Sequence, residues 1–238
     1  MAGAQAPAVP PIQDNSFLIE EAYNQERGVV QHISTFQRAA GAWVYTFTQE
    51  WPLGGIRHQL SYTIPVSHSA GSGAGFGDVA LNYRLQLMGS GTSRLAMAPR
   101  VSVVLPTGSA AAGRGSGGVG FQFMLPASLV LAPRLVSHLN LGVSVTPEAR
   151  PLPGVHVTTT SATGGASVIF LARQWMNLML EAVWTSADTW TLSPGVRWAI
   201  NTRGGLQIVP GLAYPIALER GGVNHLFGYL SFEHPFSR

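Results

Sequence analysis

The sequence predicts an all-β protein, a transmembrane antiparallel up-and-down β-barrel of about 12 strands with both termini on the periplasmic side. Only 11% of the 238 residues are charged, while 46% are hydrophobic. A water-soluble domain usually carries about 25% charged residues, so something other than water must cover much of this surface. Apolar residues come in short alternating runs, well below the roughly 18 consecutive apolar residues of a transmembrane helix. Such runs, separated by turn residues, are typical of a barrel with a lipid face and a wet lumen.

The composition also excludes several kinds of functional site. The chain has no cysteine, which excludes disulfides, thiolate metal sites and cysteine nucleophiles. All 14 basic residues are arginine, and they are scattered along the chain. A nucleic-acid interface needs a clustered basic patch, so we expect no nucleic-acid partner. His68, His156 and His225 lack metal-ligand spacing, and we expect neither a metal nor another cofactor.

The strand pattern is plainest at residues 43–51. Aromatic residues occupy one face of this segment and Thr46, Thr48 and Glu50 occupy the other. Similar alternation occurs in nine further segments, 56–66, 78–87, 94–105, 121–131, 138–146, 177–185, 196–201, 207–216 and 226–236. Residues 28–39 and 164–173 have no clear apolar face, and we count them as strands because an even number returns both termini to one side. The barrel is predicted to span 28–238.

Connection lengths test this assignment independently, since outer-membrane barrels have short periplasmic turns and longer outer loops. The predicted periplasmic turns are all tight, at 52–55, 89–93, 132–134, 173–175 and 201–205. The predicted outer loops are mostly longer, at 67–77, 106–118, 147–164 and 217–225, with short ones at 39–42 and 186–189. This alternation favours a membrane barrel over a soluble sandwich.

Aromatic residues lie where interfacial belts are expected. We place Trp43, Trp184, Trp190 and Tyr214 near the outer ends of their strands, and Trp51 and Trp175 near the inner ends. The C-terminal segment 226–236 resembles the closing strand of outer-membrane barrels. Phe232 and Phe236 share one face of it, although Phe236 stops two residues short of the terminus. The expected partners are the lipid bilayer, lipopolysaccharide and the barrel-assembly machinery.

Residues 14–26 (DNSFLIEEAYNQE), continuing into 28–32, resemble the start of the putative outer-membrane family named for the meta-pathway of phenol degradation. The likeness continues through 77–83 (GDVALNY). This resemblance implies uptake or export of small, often aromatic compounds. Ala4-Gln5-Ala6 resembles the small-residue end of a secretory signal. We therefore expect the bacterial outer membrane as the location, with a signal peptide removed.

Charged residues on the polar faces are candidates for the lumen. A tight turn at Leu53-Gly54 would set Glu50 opposite Arg57. Arg84 and Arg100 would come from adjacent strands, and Glu181 would lie near Arg197 across a hairpin. Asp78 is on the same kind of face, and the predicted lumen-lining set is Glu50, Arg57, Asp78, Arg84, Arg100, Glu181 and Arg197. In a pore such charges set selectivity; in a closed barrel they form a structural salt-bridge network.

The segment 1–27 precedes the barrel and contains Glu20, Glu21 and Glu26. It could fold into the lumen as a plug that meets the arginines, or extend into the periplasm and contact a partner. We favour an outer-membrane channel or transporter for small molecules. The alternatives are a structural or partner-binding barrel with a closed lumen and, less favoured, a membrane-embedded hydrolase. His58, His138 and Ser102 form no recognisable hydrolase motif, so we predict that the protein is not an enzyme.

Overall fold

The computed structural model describes residues 12–202 and 206–235. Sixteen strands form a single antiparallel sheet, with a short 3-10 helix at Ala110–Ala112. The strands are β1 (Val29–Ala39), β2 (Ala42–Pro52), β3 (His58–Ser69), β4 (Gly73–Phe76), β5 (Val79–Leu85), β6 (Leu95–Met97), β7 (Arg100–Leu105), β8 (Gly120–Ala132), β9 (Leu135–Ala149), β10 (Val157–Arg173), β11 (Met176–Thr185), β12 (Thr189–Trp198), β13 (Ile200–Asn201), β14 (Gln207–Ala213), β15 (Ile216–Ala217) and β16 (Leu226–Pro235).

The sheet closes on itself because β1 pairs with β2 on one side and with β16 on the other. Four spanning strands are each interrupted once, as β4/β5, β6/β7, β12/β13 and β14/β15, so the fold is a closed barrel of 12 strands. The predicted fold class and strand number are confirmed. The two segments without a clear apolar face are β1 and β10.

Short turns and long loops lie at opposite ends of the barrel. The described chain begins and ends at the short-turn end: Ile12 N donates to Gln174 O at 2.8 Å, and Pro235 pairs with Val29 at the start of β1. Two outer loops are shorter than the sequence suggested, since β3 and β4 leave only 70–72 between them and β9 and β10 leave only 150–156. The loop at 106–119 is long as predicted.

The two faces of the barrel wall differ sharply in polarity. Large hydrophobic side chains are exposed on the outer face, among them Leu81, Val101, Phe121, Leu141 and Leu180. The most deeply buried large side chains are mainly polar and include Arg197, His138, Gln31, Gln59, Glu181 and Asn177. This is the inverse of a water-soluble domain and matches a lipid-facing wall around a polar lumen. Within the described ranges, no helix has the length and hydrophobicity needed to cross a membrane.

Candidate functional site in the barrel lumen

The N-terminal segment, defined here as Ile12–Gly28, runs inside the barrel before it joins β1. From Leu18 onward its contacts pass in order along the inner wall from β11 to β9, β8, the end of β5 and β3. The described part forms no helix or strand. Buried backbone amides need hydrogen-bond partners wherever regular structure does not supply them. In this segment, inward-facing polar side chains of the wall supply them.

Glu181 on β11 is the most concentrated of these contacts. Its Oε1 accepts hydrogen bonds from three consecutive backbone amides, those of Phe17, Leu18 and Ile19, at 3.1, 2.7 and 3.0 Å. The residue has 0% exposure. Successive N–H groups that converge on one acceptor form a favourable binding concavity. Glu181 therefore fixes the middle of the N-terminal segment to the wall.

Side-chain amides and a serine continue the same role along the segment. Asn140 accepts from Glu20 N at 2.7 Å and donates to Glu20 O at 2.8 Å. Such a reciprocal pair reproduces the hydrogen bonding of a β-ladder neighbour. Further amides donate to Ser128, Gln86 and Gln59 at 2.7–2.9 Å. The inner wall is thus matched to the backbone of this segment over most of its length.

Ser128 and His138 also bind the backbone of the N-terminal segment. His138 has 0% exposure, and its Nδ1 lies 2.7 Å from Ser128 Oγ while its Nε2 lies 2.9 Å from Asp14 O. Because the Asp14 carbonyl can only accept, His138 Nε2 is the donor in that contact and His138 Nδ1 accepts from Ser128 Oγ. Ser128 Oγ in turn accepts from Ala22 N at 2.8 Å. The pair is occupied by segment contacts and covered from the lumen.

Phe17 anchors the segment by packing. Its ring centroid lies 5.2 Å from those of both Phe227 and Tyr229. Gly195 and Gly211 on β12 and β14 leave a recess for this ring, because a Cβ at either position would lie 2.7 or 2.6 Å from a ring carbon. The recess exists only because both wall positions lack a side chain.

Five charged groups gather where the segment crosses β5 and β7. Arg84 and Arg100 are direct cross-strand partners, an arrangement of like charges that is unfavourable by itself. Acids offset it: Arg100 Nη2 lies 2.6 Å from Glu20 Oε1, and Arg84 Nη2 lies 3.7 Å from Glu50 Oε2 and 3.9 Å from Glu21 Oε1. Two of the three acids come from the N-terminal segment, which thereby neutralises the arginine pair.

Burial alone would raise the pKa of Glu20, but the charge and hydrogen bonds of Arg100 outweigh burial and hold that pKa below its ordinary value. The carboxyl group is therefore ionised at neutral pH. The bidentate geometry, with Arg100 Nε 3.0–3.1 Å from the two carboxylate oxygens, is the strong form of an arginine–carboxylate pair.

The segment separates two cavities. The outer cavity, of about 380 Å³, lies toward the long loops and is lined by residues 15–21 together with hydroxyl-bearing wall residues such as Thr35, Thr48 and Thr63. The inner cavity, of about 740 Å³, lies toward the short turns and is lined by residues 12–14, 21 and 23–26 and by wall residues such as Val130. Glu21 borders both cavities.

The structure places five of the seven predicted lumen residues on the inner wall: Glu50, Arg84, Arg100, Glu181 and Arg197. Glu181 and Arg197 share a face but are not partners, since Glu181 aligns with Ser193 and Arg197 with Asn177. Arg197 Nη1 instead donates to Asn15 O at 2.5 Å.

The predicted pairing of Glu50 with Arg57 is wrong. Glu50 aligns with Ser61, and Arg57 lies exposed in the β2–β3 turn. The turn covers residues 53–57, with Gly54 and Gly55 both at positive φ. This longer connection shifts the register of β3, so Arg57 belongs to the rim and not to the lumen wall.

Asp78 is engaged with an outer loop. Its Oδ1 accepts from Gly108 N at 2.9 Å, and its Oδ2 accepts from Ser116 N at 2.6 Å and Ser116 Oγ at 2.9 Å. The carboxylate therefore ties both ends of the loop at 106–119 to the barrel mouth. Glu26 is exposed near the entry of β1 and lines the inner cavity.

The predicted belt residues lie at the two ends of the barrel. Trp184 and Trp190 are cross-strand partners beside the 186–188 turn, and Trp43 contacts His68 edge-on at 6.0 Å near the same end. Tyr214 lies between β14 and β15, half exposed, toward the same end. Trp51 and Trp175 lie at the short-turn end. Phe232 stacks on His32 at 4.7 Å, while Phe236 lies outside the described residues, as do Ala4-Gln5-Ala6.

Sequence reasoning missed most of the wall residues that hold the segment. Gln59, Gln86, Ser128 and Asn140 were recognisable as inward-facing polar residues from their alternation with apolar neighbours. Their common partner, a backbone without regular structure, has no sequence signature. In the part of the chain that the structure describes, no group of three or more His, Asp or Glu residues is arranged to hold a metal ion.

A closed antiparallel barrel with an apolar exterior and a polar lumen defines the class: an outer-membrane-type β-barrel. A family model described as "Putative MetA-pathway of phenol degradation" matches residues 11–165, and the chain belongs to this family. The resemblance seen in residues 14–32 and 77–83 is thereby confirmed. Comparison with curated proteins gave no match.

Three solved structures with a similar fold are described as channels or porins. The COG4313 outer membrane channel from Pseudomonas putida F1 is 12% identical with a TM-score of 0.65, covering 90% of this chain and 97% of that one. The NanC porin is 8% identical (TM-score 0.59; 88% and 100% covered), and the KdgM porin is 7% identical (TM-score 0.52; 87% and 99% covered). At these identities the likeness concerns the fold, which is that of outer-membrane barrels.

Proposed function

We propose that this protein is an outer-membrane channel for small molecules in which the N-terminal segment controls passage. The observation that carries the proposal is the pair of cavities on either side of this segment, with Glu21 on the wall of both. One cavity opens toward the long loops and the other toward the short turns. Displacing a single stretch of chain would join them into one path along the barrel axis.

The favoured solute is a small aromatic compound that carries a hydroxyl group. The inner cavity combines apolar side chains such as Ile56, Val130 and Leu171 with polar ones such as Gln86. An aromatic ring with one hydroxyl could contact both kinds of group. The family description, which names phenol degradation, supports the same class of solute.

Glu50, Arg84 and Arg100, with Glu20 and Glu21 of the segment, are proposed to set charge selectivity. The tryptophans at the two barrel ends and Tyr214 are proposed to anchor the barrel in the interfaces, against lipopolysaccharide on the outer side. Phe232 and Phe236 are proposed to contribute to recognition by the barrel-assembly machinery. We also propose that a signal peptide preceded the mature chain.

A reversible cross-link tests the proposal directly. Ser16 Oγ lies 2.7 Å from Ser167 Oγ on β10, and the chain has no native cysteine. The S16C/S167C variant should therefore fix the segment to the wall when oxidised and free it when reduced. Single-channel conductance in planar bilayers should be low in the oxidised form and rise after reduction. The S16C single variant, treated in the same way, controls for the reductant.

Two outcomes would contradict the proposal. Equal conductance before and after reduction, with the cross-link verified, would remove the role of the segment. Complete absence of conductance steps in wild type and in the reduced variant after verified insertion would instead favour the second candidate, a barrel with a permanently closed lumen. The dense contacts of Glu181 with the segment favour that candidate. Catalysis is not proposed, because the Ser128–His138 pair is engaged by the segment.

A further inference from the structure

Exposed arginines surround the short-turn end of the barrel. We call Arg27, Arg57, Arg94, Arg134 and Arg173 the rim arginines; all five are exposed. Each belongs to a different connection or strand end at this side: the entry to β1, the β2–β3 turn, the β5–β6 connection, the β8–β9 turn and the end of β10. In the sequence, Arg203 falls in the connection before β14, outside the described residues.

The connections at this end contribute no balancing acid, and Glu26, next to Arg27, is the exposed acid at the entry to β1. The five short connections, 53–57, 86–94, 133–134, 174–175 and 202–206, contain no aspartate or glutamate in the sequence. None of the rim arginines lies within ion-pair distance of an acid that the structure describes. The opposite end, in contrast, mixes both signs through Arg114, Arg150, Arg220, Asp78, Glu148, Asp188 and Glu219. The short-turn end therefore presents a positive ring.

Two of the rim arginines converge on one point. Arg134 Nε donates to Leu171 O at 2.9 Å, its Nη2 donates to Ala172 O, and Arg173 Nη1 donates to the same Ala172 carbonyl at 3.0 Å. Both side chains line a cleft of about 420 Å³ whose described lining contains no acid. Two guanidinium groups held side by side repel each other unless an anion lies between them.

This cleft lies at the rim of the barrel, with the buried residues Ile12 and Asn177 on its interior side and the membrane-facing wall on the other side. The Arg134 guanidinium carbon lies 5.0 Å above the ring of Phe170, a residue of the outer wall that is 43% exposed. Trp175, in the adjoining β10–β11 turn, is 53% exposed. Tryptophan beside arginine is typical of the headgroup level of a bilayer. The cleft thus joins a cationic pocket to an apolar wall.

We propose that the Arg134–Arg173 cleft binds the phosphate of an anionic phospholipid headgroup in the periplasmic leaflet. Arg173 gives only an Nη1 proton to the Ala172 carbonyl, so its Nε–Nη2 edge can meet a phosphate in the bidentate geometry that suits it. Arg134 donates through Nε and Nη2 to Leu171 O and Ala172 O and contributes its charge and its Nη1 group, and the acyl chains would lie against Phe170. Short turns face the periplasm in outer-membrane barrels, where the leaflet consists of phospholipids. The inference depends on the barrel's location in the outer membrane and not on whether the lumen conducts.

The test measures lipid affinity of the purified full chain by native mass spectrometry in detergent. Phosphatidylglycerol should bind more tightly than phosphatidylcholine with identical acyl chains. R134Q/R173Q should lose roughly 25-fold in affinity for phosphatidylglycerol, at roughly fivefold per arginine. The matched control R150Q/R220Q removes two exposed arginines at the opposite end and should keep wild-type affinity. Heat-modifiable gel mobility confirms folding; should the double variant fail to fold, R173Q alone should show the roughly fivefold loss.

Equal affinity of wild type for the two lipids would overturn the proposal, as would a preference for phosphatidylglycerol that survives R134Q/R173Q. Competition with inorganic phosphate distinguishes a lipid site from a site for free phosphate. If millimolar phosphate displaces phosphatidylglycerol completely, the site is one for free phosphate and the lipid assignment fails. Retention of the lipid under these conditions is the expected result.

Discussion

Replacing Glu181 with alanine should release the N-terminal segment from the barrel wall. The substitution deletes the one acceptor shared by the amides of Phe17, Leu18 and Ile19. A buried donor left without a partner costs about 1–3 kcal/mol. Three such donors imply about 3 kcal/mol at the lower end of that range. Since about 1.4 kcal/mol corresponds to a tenfold change in an equilibrium constant, the unseated fraction should rise by roughly a hundredfold or more.

Hydrogen exchange on the detergent-solubilised protein measures this change at the residues concerned. Protection of the amides of residues 17–19 should fall in E181A, while amides in the β8–β9 ladder should exchange as in wild type. E181Q keeps an acceptor oxygen without the charge, so protection of these amides in E181Q should be intermediate between wild type and E181A. The control is E219A, which removes an exposed acid from an outer loop. Unchanged protection of residues 17–19 in a folded E181A variant would refute the role assigned to this carboxylate.

The remaining predictions concern charge, pH and packing. R84A/R100A should shift the reversal potential in a salt gradient toward cation selectivity, and an unchanged potential would contradict a lumen role for the pair. Because Arg100 holds the pKa of Glu20 below its ordinary value of 4.5, the ion pair's contribution to seating is complete above that value and is lost only as the pH falls through the lowered pKa. The share of the segment's protease resistance that depends on this ion pair should follow that course, and E20Q should remove that share of the pH dependence. G211A places a methyl group about 2.6 Å from the Phe17 ring, so it should destabilise seating by about 1–3 kcal/mol; full protease resistance of the segment in G211A would argue against the recess.

The alternation of side chains made the barrel predictable from sequence. Tyr83 and Arg84, for example, are neighbours in the chain but lie on opposite faces, as the period of two requires. The same alternation correctly put Arg84 and Arg100 on the inner wall. Register across a turn was less predictable: the position of Arg57 depends on whether the turn has two or five residues, and two consecutive glycines permit either.

Contacts of the N-terminal segment could not be derived in this way. Its binding residues are distant from it in the chain: Arg197 and Asn15, for example, are 182 positions apart. Glu181 was recognised as an inward-facing acid, but its partners are backbone amides, which every residue except proline possesses. Asp78 illustrates the same limit, because its carboxylate is satisfied by a loop whose path depends on the finished barrel.

The order of residues along the chain has a consequence for biogenesis. The N-terminal segment is made and exported first, yet Glu181, Asn140 and Ser128, which hold it, belong to strands near the middle and the C-terminal half of the chain. The segment therefore lacks the partners of residues 17–22 until those strands have been inserted. Occlusion of the interior is consequently one of the last steps in maturation, and a barrel arrested before β11 is in place would leave this stretch of backbone outside, with its amides in water.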